Sequence, residues 1–212
     1  MLTWFCCGCG NDRPPPLAQL PEAQLGFSTE TPVGSTESGQ VAVDEVPEWA
    51  CRGYRPWKYI VIHHSSTRAG NASEFDKSHR ARGFDGLGYH FVITNGRGGT
   101  DGAVQPGRRW RIQKWGAHTG RTPRNEYNNY GIGICLVGQF CETLPTRKQL
   151  ASLESLTKYL CGRFNIAPSC VIGHRDAPGA ETKCPGDKLH QYIHTVLRAE
   201  LSGKRTAANP TP

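Results

Sequence analysis

The fold is decided by one short stretch, KYIVIHH at positions 58–64. Its centre is a run of apolar, mostly β-branched side chains, which is typical of a buried strand. Two histidines, His63 and His64, stand at the end of this strand. Because successive strand side chains point to opposite faces, only one of the two can face a given site. Taken alone, the pair is also explained by histidines that make ordinary hydrogen bonds.

Further predicted elements follow on the carboxyl side of this strand. The predicted strands cover 89–94, 102–105, 109–113, 132–137 and 169–173, and the predicted helices cover 74–82, 146–164 and 187–201. Ser73 is the predicted N-cap of the first helix and Gly83 its terminator. The second helix has helical spacing of apolar residues, and Thr146 with Gln149 resembles a capping box. We therefore predict an α/β fold, a single domain with a central mixed β-sheet flanked by helices.

Charge is distributed unevenly along the 212 residues. The whole chain carries a net charge of +7, yet residues 11–50 hold one basic and seven acidic side chains, which leaves a strongly basic remainder. Residues 11–50 are rich in Pro, Gly, Ser, Thr and Glu without a sustained apolar period, which predicts a disordered linker. The predicted organisation is a cysteine-rich start and acidic linker over 1–50, a folded domain over 51–201 and a disordered tail over 202–212.

The first ten residues, MLTWFCCGCG, are apolar and rich in cysteine. They lack the basic n-region and the apolar core of about 7–15 residues that define a full signal peptide. Two interpretations remain open: the remnant of a lipoprotein or secretion signal, with a lipid anchor at Cys6 or Cys7, or an N-terminal extension without a role. Since no stretch of about 18 uncharged apolar residues occurs, no transmembrane span is predicted.

A second chemical signal is GHRDAPGAETKCPG at positions 173–186. His174 and Cys184 lie ten positions apart, and the prolines and glycines around them exclude a connecting helix, so a loop must bring them round. Imidazole and thiolate are both good zinc ligands, and a His/His/Cys set with one open position is typical of catalytic zinc. A structural site would use four ligands, usually from paired CxxC elements, and this chain has no such pair.

Six segments carry a resemblance to a known family. They are IVIHHS (60–65), LGYHFVI (87–93), DGAVQPGR (101–108), WGAHTG (115–120), YNNYGIGICLVG (127–138) and GHRDAPGAETKCPG (173–186). Together they resemble the zinc-dependent N-acetylmuramoyl-L-alanine amidases, a group that includes phage-type amidases and the peptidoglycan recognition proteins. Each segment is weak alone, but six in order, with both halves of a metal site, make the resemblance specific over about residues 57–200.

The resemblance implies that His63, His174 and Cys184 are the ligands of a Zn²⁺ ion. The implied reaction is hydrolysis of the amide between N-acetylmuramic acid and L-alanine of the peptidoglycan stem peptide, with zinc polarising the carbonyl and activating water. Tyr89 matches the family's catalytic tyrosine, although a core strand aromatic is its alternative interpretation. Thr182 occupies a catalytic position that phage-type relatives fill with lysine, and a threonine there can only hydrogen-bond the developing oxyanion.

The resemblance also implies substrate contacts for His118, in the GAH segment, and for Asn128. The alternative interpretation is an exposed loop side chain for His118 and a turn residue for Asn128. Some bacterial relatives carry a glutamate base where this chain has Cys135, so the proton acceptor is unassigned. We interpret Cys135 as a buried strand residue, because an apolar site raises the pKa of a thiol. Arg175 and Asp176 are candidates for holding the histidine that precedes them.

The predicted function is that of a monomeric peptidoglycan amidase, bacterial or phage-derived, in the cell envelope or secreted, with a cytoplasmic location as the alternative. The alternative function is a non-catalytic recognition module of the same fold that binds muropeptides. Such relatives typically lose a zinc ligand, and here all three positions are filled. The basic domain also prompts a nucleic-acid-binding hypothesis, but no helix-turn-helix, paired finger or aromatic–basic strand motif occurs. The expected anionic partner is therefore the cell wall.

Overall fold

The computed structural model describes Trp49, Cys51, residues 53–120 and residues 122–203. Trp49, at the end of the predicted linker, is buried in the main core, where its carbonyl accepts from Trp110 Nε1 at 2.9 Å. The rest of the predicted linker, the start with Cys6 and Cys7, and all but the first two residues of the predicted tail lie outside the described residues. Across the described part of the chain, every helix is too short or too polar to cross a bilayer.

A five-stranded mixed sheet forms the centre of the domain. Its strands are β1 (Tyr59–His64), β2 (Phe91–Ile93), β3 (Val104–Pro106), β4 (Gly131–Leu136) and β5 (Val171–Gly173). Their order across the sheet is β3-β2-β4-β1-β5. Only the β2–β3 pair among them is antiparallel. Strands β1 and β4 are apolar throughout their centres because both faces of the sheet are covered. The predicted α/β class and mixed sheet are confirmed.

Helices flank this sheet. They are α1 (Ala72–Ala81), α2 (Arg108–Arg111), α3 (Glu126–Tyr130), α4 (Arg147–Phe164), α5 (Asp187–Tyr192) and α6 (Arg198–Leu201), with a π-helical stretch (Ile193–Leu197) between the last two. Helix α4 begins at the predicted capping box, in which the Thr146 hydroxyl accepts a hydrogen bond from the Gln149 amide at 3.0 Å. Leucines on α4, such as Leu153 and Leu160, are fully buried in the main core. Each contributes roughly 1.5–3 kcal/mol by burial.

Two local predictions are wrong. Residues 109–113 do not form a strand, because α2 buries two consecutive bulky side chains that a strand would place on opposite faces. Trp110 enters the main core, and the buried Arg109 guanidinium donates to the Leu87 and Trp115 carbonyl oxygens, both at 2.7 Å. The N-cap of α1 is Asn71 rather than Ser73, since the helix begins one residue before Ser73.

Candidate metal centre

The parallel pairing of β1 with β5 brings two of the predicted ligands together. Ile62 on β1 pairs with Gly173, the last residue of β5, and a histidine follows each of them in the chain. Parallel strands end at the same edge of a sheet, so His63 and His174 emerge side by side. Their ring centroids lie 4.6 Å apart.

Cys184 returns to this edge at the end of a loop that starts at His174. The Arg175 amide donates to the Cys184 carbonyl at 2.9 Å, and the Cys184 amide donates to the Thr182 hydroxyl at 3.1 Å. The His64 amide donates to the Cys184 sulfur at 3.4 Å. These bonds fix the thiol in front of β1. The ligand-type atoms of His63, His174 and Cys184 consequently all lie within 4.8 Å of one another, in a set that could hold a metal ion.

A chain of hydrogen bonds behind His63 sets the tautomer of its ring. His118 Nε2 lies 3.2 Å from the Gly131 carbonyl oxygen, which can only accept, so Nε2 carries the proton. His118 Nδ1 is then an acceptor, and His63 Nε2 donates to it at 3.0 Å. The remaining nitrogen, His63 Nδ1, keeps its lone pair and lies 3.7 Å from the Cys184 sulfur. An outer partner that orients a histidine in this way is typical of metal ligands.

Burial controls the protonation of the three predicted ligands. It lowers the pKa of His63 well below its ordinary value, an effect that the neighbouring His118 reinforces. It also lowers the pKa of His174, to about 4. The same desolvation raises the pKa of the Cys184 thiol to about 12. Both imidazoles are therefore neutral at pH 7, with lone pairs available, and the thiol ionises readily only beside a cation.

The three side chains open onto a cavity of about 420 Å³. Its lining residues are His63, His64, Ser66, Tyr89, His118, Gln139, Cys141, His174, Thr182, Lys183 and Cys184. No carboxylate is among these described residues. His64 is outside the metal-type cluster, as strand alternation predicts, yet it lines the same cavity.

The predicted catalytic residues Tyr89 and Thr182 both line this cavity. The Tyr89 ring centroid is 5.1 Å from that of His63. Burial raises the pKa of Tyr89 well above its ordinary value, and a hydrogen bond with Cys135 adds to the shift, so the hydroxyl remains a donor at neutral pH. Cys135 itself is fully buried in β4. Thr182 is exposed, and its hydroxyl accepts from Cys184 while remaining free to donate.

Asn128 holds the loop that carries His118. Its carbonyl oxygen accepts from the amides of His118 and Thr119 at 2.7 and 3.0 Å. Its amide nitrogen donates to the Thr119 carbonyl and to the Asn125 side chain at 2.6 and 2.7 Å. Both polar atoms are therefore engaged within the protein. This geometry favours positioning roles for Asn128 and for the buried His118, and their predicted substrate contacts stay predictions.

A second cluster of metal-type donors lies just beyond His174. Asp176 accepts from His190 Nε2 at 2.7 Å and, through its other oxygen, from His194 Nε2 and the Gly173 amide, both at 2.9 Å. The sequence predicts no role for His190 or His194. Their spacing of four residues on a predicted helix places them on one face, which could have indicated a shared partner. The spacing does not identify Asp176 as that partner.

The comparisons with known proteins agree with this geometry. A family model described as N-acetylmuramoyl-L-alanine amidase matches residues 53–187. Mouse Peptidoglycan recognition protein 1 is 31% identical over 70% of this chain and 80% of its own length. An N-acetylmuramoyl-L-alanine amidase of Sus scrofa is 28% identical over 91% of this chain and 34% of its own length. The chain thus spans about a third of the pig amidase and of its human counterpart.

Solved structures give the same assignment. The endolysin N-acetylmuramoyl-L-alanine amidase LysCS of Clostridium intestinale superposes with a TM-score of 0.57 at 29% identity, covering 70% of this chain and 85% of that one. A Drosophila PGRP-LB variant in complex with tracheal cytotoxin superposes with a TM-score of 0.53 at 27% identity, covering 68% of this chain and 83% of that one. Because the family match extends over more than half of its residues, the chain belongs to the N-acetylmuramoyl-L-alanine amidase family.

Proposed function

We propose that the protein is a zinc-dependent hydrolase that cleaves the amide between N-acetylmuramic acid and L-alanine of peptidoglycan. The observation that carries this proposal is the convergence of His63, His174 and Cys184 within 4.8 Å at the wall of an open cavity. Three protein ligands beside open space are the arrangement of a catalytic zinc site rather than of a closed structural one. The presence of all three ligand-type side chains in an amidase-family domain supports hydrolysis over recognition alone.

The donor set fits zinc. Two neutral imidazoles and one thiol, which a cation would ionise, are the ligand types that Zn²⁺ prefers. Bound zinc supplies Lewis acidity, which polarises a carbonyl group and makes water more acidic. Because the tautomer of His63 is fixed, Nδ1 rather than Nε2 would hold the ion.

The other cavity residues have separate tasks in this proposal. The Tyr89 hydroxyl, held protonated by burial, donates a hydrogen bond to the carbonyl oxygen as negative charge develops on it. The Thr182 hydroxyl adds a neutral donor at the rim. His118 acts indirectly, by holding the ring of His63 in place. In this proposal the scissile amide lies in the cavity of about 420 Å³ against these donors.

Peptidoglycan is the proposed partner, and the cell envelope or its exterior is the proposed location. Relatives support the choice of partner: Drosophila PGRP-LB is solved with tracheal cytotoxin, and PGRP-LE with the same compound, which is a monomeric diaminopimelic acid-type peptidoglycan. The lipid anchor and the monomeric state remain predictions from the sequence.

The test of the proposal separates hydrolysis from recognition. Purified sacculi are incubated with the zinc-loaded protein, and newly exposed L-alanine N-termini are counted alongside the amount of protein that sediments with the wall. Release of L-alanine N-termini by the wild type, and its loss in Cys184→Ser, are expected. Sedimentation with sacculi without any release would instead assign the chain to the recognition modules of this fold.

A further inference from the structure

A second cavity adjoins the candidate metal centre. It has a volume of about 530 Å³, and it shares the lining residues Ser66 and Gln139 with the cavity of the metal cluster. Its complete lining is Ser66, Thr67, Arg68, Asn95, Arg97, Val137, Gly138, Gln139, Phe140, Thr143, Leu144, Thr146 and Gln149. We call it the arginine groove. Its lining contains two guanidinium groups and, within the described part of the chain, no carboxylate.

The two arginines of the arginine groove come from loops that are bonded to each other. The Asn95 side-chain amide donates to the Arg68 carbonyl at 3.0 Å, and the Gly70 amide donates to the Arg97 carbonyl at 2.9 Å. A Cβ at Gly98, where φ is +102°, would lie 2.9 Å from the Gly70 carbonyl oxygen. Glycine is therefore required for the close approach of the loops. The backbone under both arginines is fixed rather than free.

The two guanidinium groups of the arginine groove are not paired. Arg68 and Arg97 are exposed, and neither side chain has an ion pair or hydrogen bond to another described residue. The Asp101 carboxylate borders the groove, where it accepts from the Thr146 hydroxyl at 2.7 Å, but it makes no ion pair with either arginine. Two like charges along one groove without a direct ion pair repel each other, and a bound anion would relieve the repulsion. Guanidinium groups match carboxylate and phosphate oxygens geometrically, since they donate in a planar fork. Leu144, 51% exposed, adds an apolar surface to the same groove.

The junction between the two cavities is built with local strain. Ser66 has a φ of +58°, an uncommon conformation for a residue other than glycine. Its amide donates to the Gly138 carbonyl at 2.9 Å, which holds the chain in this turn. Strained residues concentrate at ligand sites, because the surrounding structure must maintain them. The turn at Ser66 thus lies where the cavity of the metal cluster meets the arginine groove.

From these observations we propose that the arginine groove is a subsite for an oxyanion, a carboxylate or a phosphate, carried by the cell-wall substrate beside the scissile amide. This inference rests on the proposed function for the identity of the substrate. Arg68 and Arg97 bind the oxyanion, and Leu144 contacts the chain that carries it. The subsite would thus select anionic wall material over neutral material at the step of binding.

The test compares Arg68→Gln/Arg97→Gln with a control of equal charge loss, Arg111→Gln/Lys158→Gln, whose residues are exposed and outside both cavities. Calorimetry measures binding of a soluble N-acetylmuramoyl tripeptide with free carboxylates and of the same compound with its carboxylates amidated. Co-sedimentation uses sacculi that carry phosphate polymers and the same sacculi after chemical removal of the phosphate. Release of L-alanine N-termini is recorded on the same samples.

The groove double variant is expected to bind the anionic member of at least one probe pair about ten-fold more weakly than the wild type, as loss of charge-assisted hydrogen bonds implies. The control should bind both members as the wild type does. The pair that responds identifies the oxyanion as carboxylate or phosphate. Unchanged binding of both anionic probes, or an equal loss on their neutral counterparts, would overturn the subsite. Absence of N-terminus release by the wild type would overturn the proposed function instead, whatever the binding result.

Discussion

Two clusters of metal-type donors lie at the same edge of the domain, and they differ in what surrounds them. His63, His174 and Cys184 form one, and Asp176 forms the other with His190 and His194. In each, the ligand-type atoms lie within 4.8 Å of one another. The first is built from groups that burial keeps neutral, whereas the second contains a carboxylate that already accepts two histidine donors.

The outer hydrogen bonds decide which cluster suits a metal. The far nitrogen of His63 donates to His118, which leaves the near nitrogen with its lone pair. At His194 the order is reversed: Arg198 donates to Nδ1 at 2.9 Å, so Nε2 carries the proton and points at Asp176. To bind His194 Nε2, zinc would have to displace that proton. The Arg198 guanidinium already donates to Nδ1 and therefore opposes transfer of the proton to that nitrogen. Suitable donor types in close proximity are therefore not sufficient for a metal site. The second cluster instead connects the loop that follows His174 to α5 and the π-helical stretch, and we call it the latch.

The largest effect is expected from Cys184→Ser, which removes the soft ligand and preserves its size. Loss of an outer hydrogen-bond partner typically weakens metal binding about 10–100-fold, and loss of a ligand should weaken zinc binding by more than that. Amide hydrolysis should be lost. Competitive zinc titration measures the first and release of L-alanine N-termini the second. His190→Gln/His194→Gln is the matched control and should keep wild-type zinc affinity. An equal loss of zinc affinity in the control would indicate that the metal binds at Asp176, His190 and His194 instead.

His118→Ala is expected to weaken zinc binding about 10–100-fold, because His63 Nε2 loses its acceptor and the ring its orientation. His118→Gln should recover much of the loss, since its carbonyl oxygen can accept from His63 and its amide can donate to Gly131. Zinc titration of both variants checks this, with His90→Ala as a control for emptying a neighbouring buried site. Wild-type affinity in His118→Ala would show that the tautomer is not set there.

The metal-free protein should lose stability in mild acid. Because burial depresses the folded pKa of His174 to about 4 from an unfolded value of 6.5, the unfolded state binds more protons between these values. The contribution of His174 to the free energy of unfolding is therefore fully present above pH 6.5 and is lost as pH decreases toward about 4, with a loss of roughly 2 kcal/mol at pH 5. Denaturant titrations across this range measure it. His174→Gln should flatten the slope, and an unchanged slope in that variant would contradict the assignment.

A moderate loss of stability, without a change in zinc binding, is expected from Asp176→Asn in the latch. In the variant, the side-chain NH₂ faces a histidine N–H from which the carboxylate had accepted a hydrogen bond. Two donors then face each other, so the free energy of unfolding should fall by about 1–2 kcal/mol. Zinc stoichiometry should stay at one per chain. Glu154→Gln is the control, because Glu154 ties α5 to α4 through Tyr192 at 2.6 Å without touching the metal loop. Loss of a second bound zinc in Asp176→Asn would contradict the latch.

Much of the fold could be predicted because its strands are marked by local patterns. The runs at 58–64 and 132–137 are apolar and β-branched, and the capping box at Thr146 marks the start of α4. The error at 109–113 arose because burial of Arg109 and Trp110 depends on contacts with distant residues, which a short pattern does not contain. The organisation of residues 1–48 and 204–212 remains a prediction.

The candidate site was predictable as a set of residues but not as a hydrogen-bonded structure. Six family-like segments pointed to His63, His174 and Cys184, and the β1–β5 register explains their convergence. The roles of His118 and Asp176 depend on which nitrogen of each neighbouring histidine carries a proton. That distinction follows from the contacts of His118 with the Gly131 carbonyl and of His194 with the Arg198 guanidinium, which the spacing of the metal-type residues does not contain.

The most direct test is a zinc titration of the metal-free protein, followed by release of L-alanine N-termini from purified sacculi. The rate is expected to rise with added zinc and to saturate at one equivalent in the wild type and in His190→Gln/His194→Gln. Cys184→Ser should release nothing at one equivalent. Hydrolysis that is independent of zinc, or that needs a second equivalent and is lost with His190 and His194, would contradict the assignment of the metal to His63, His174 and Cys184.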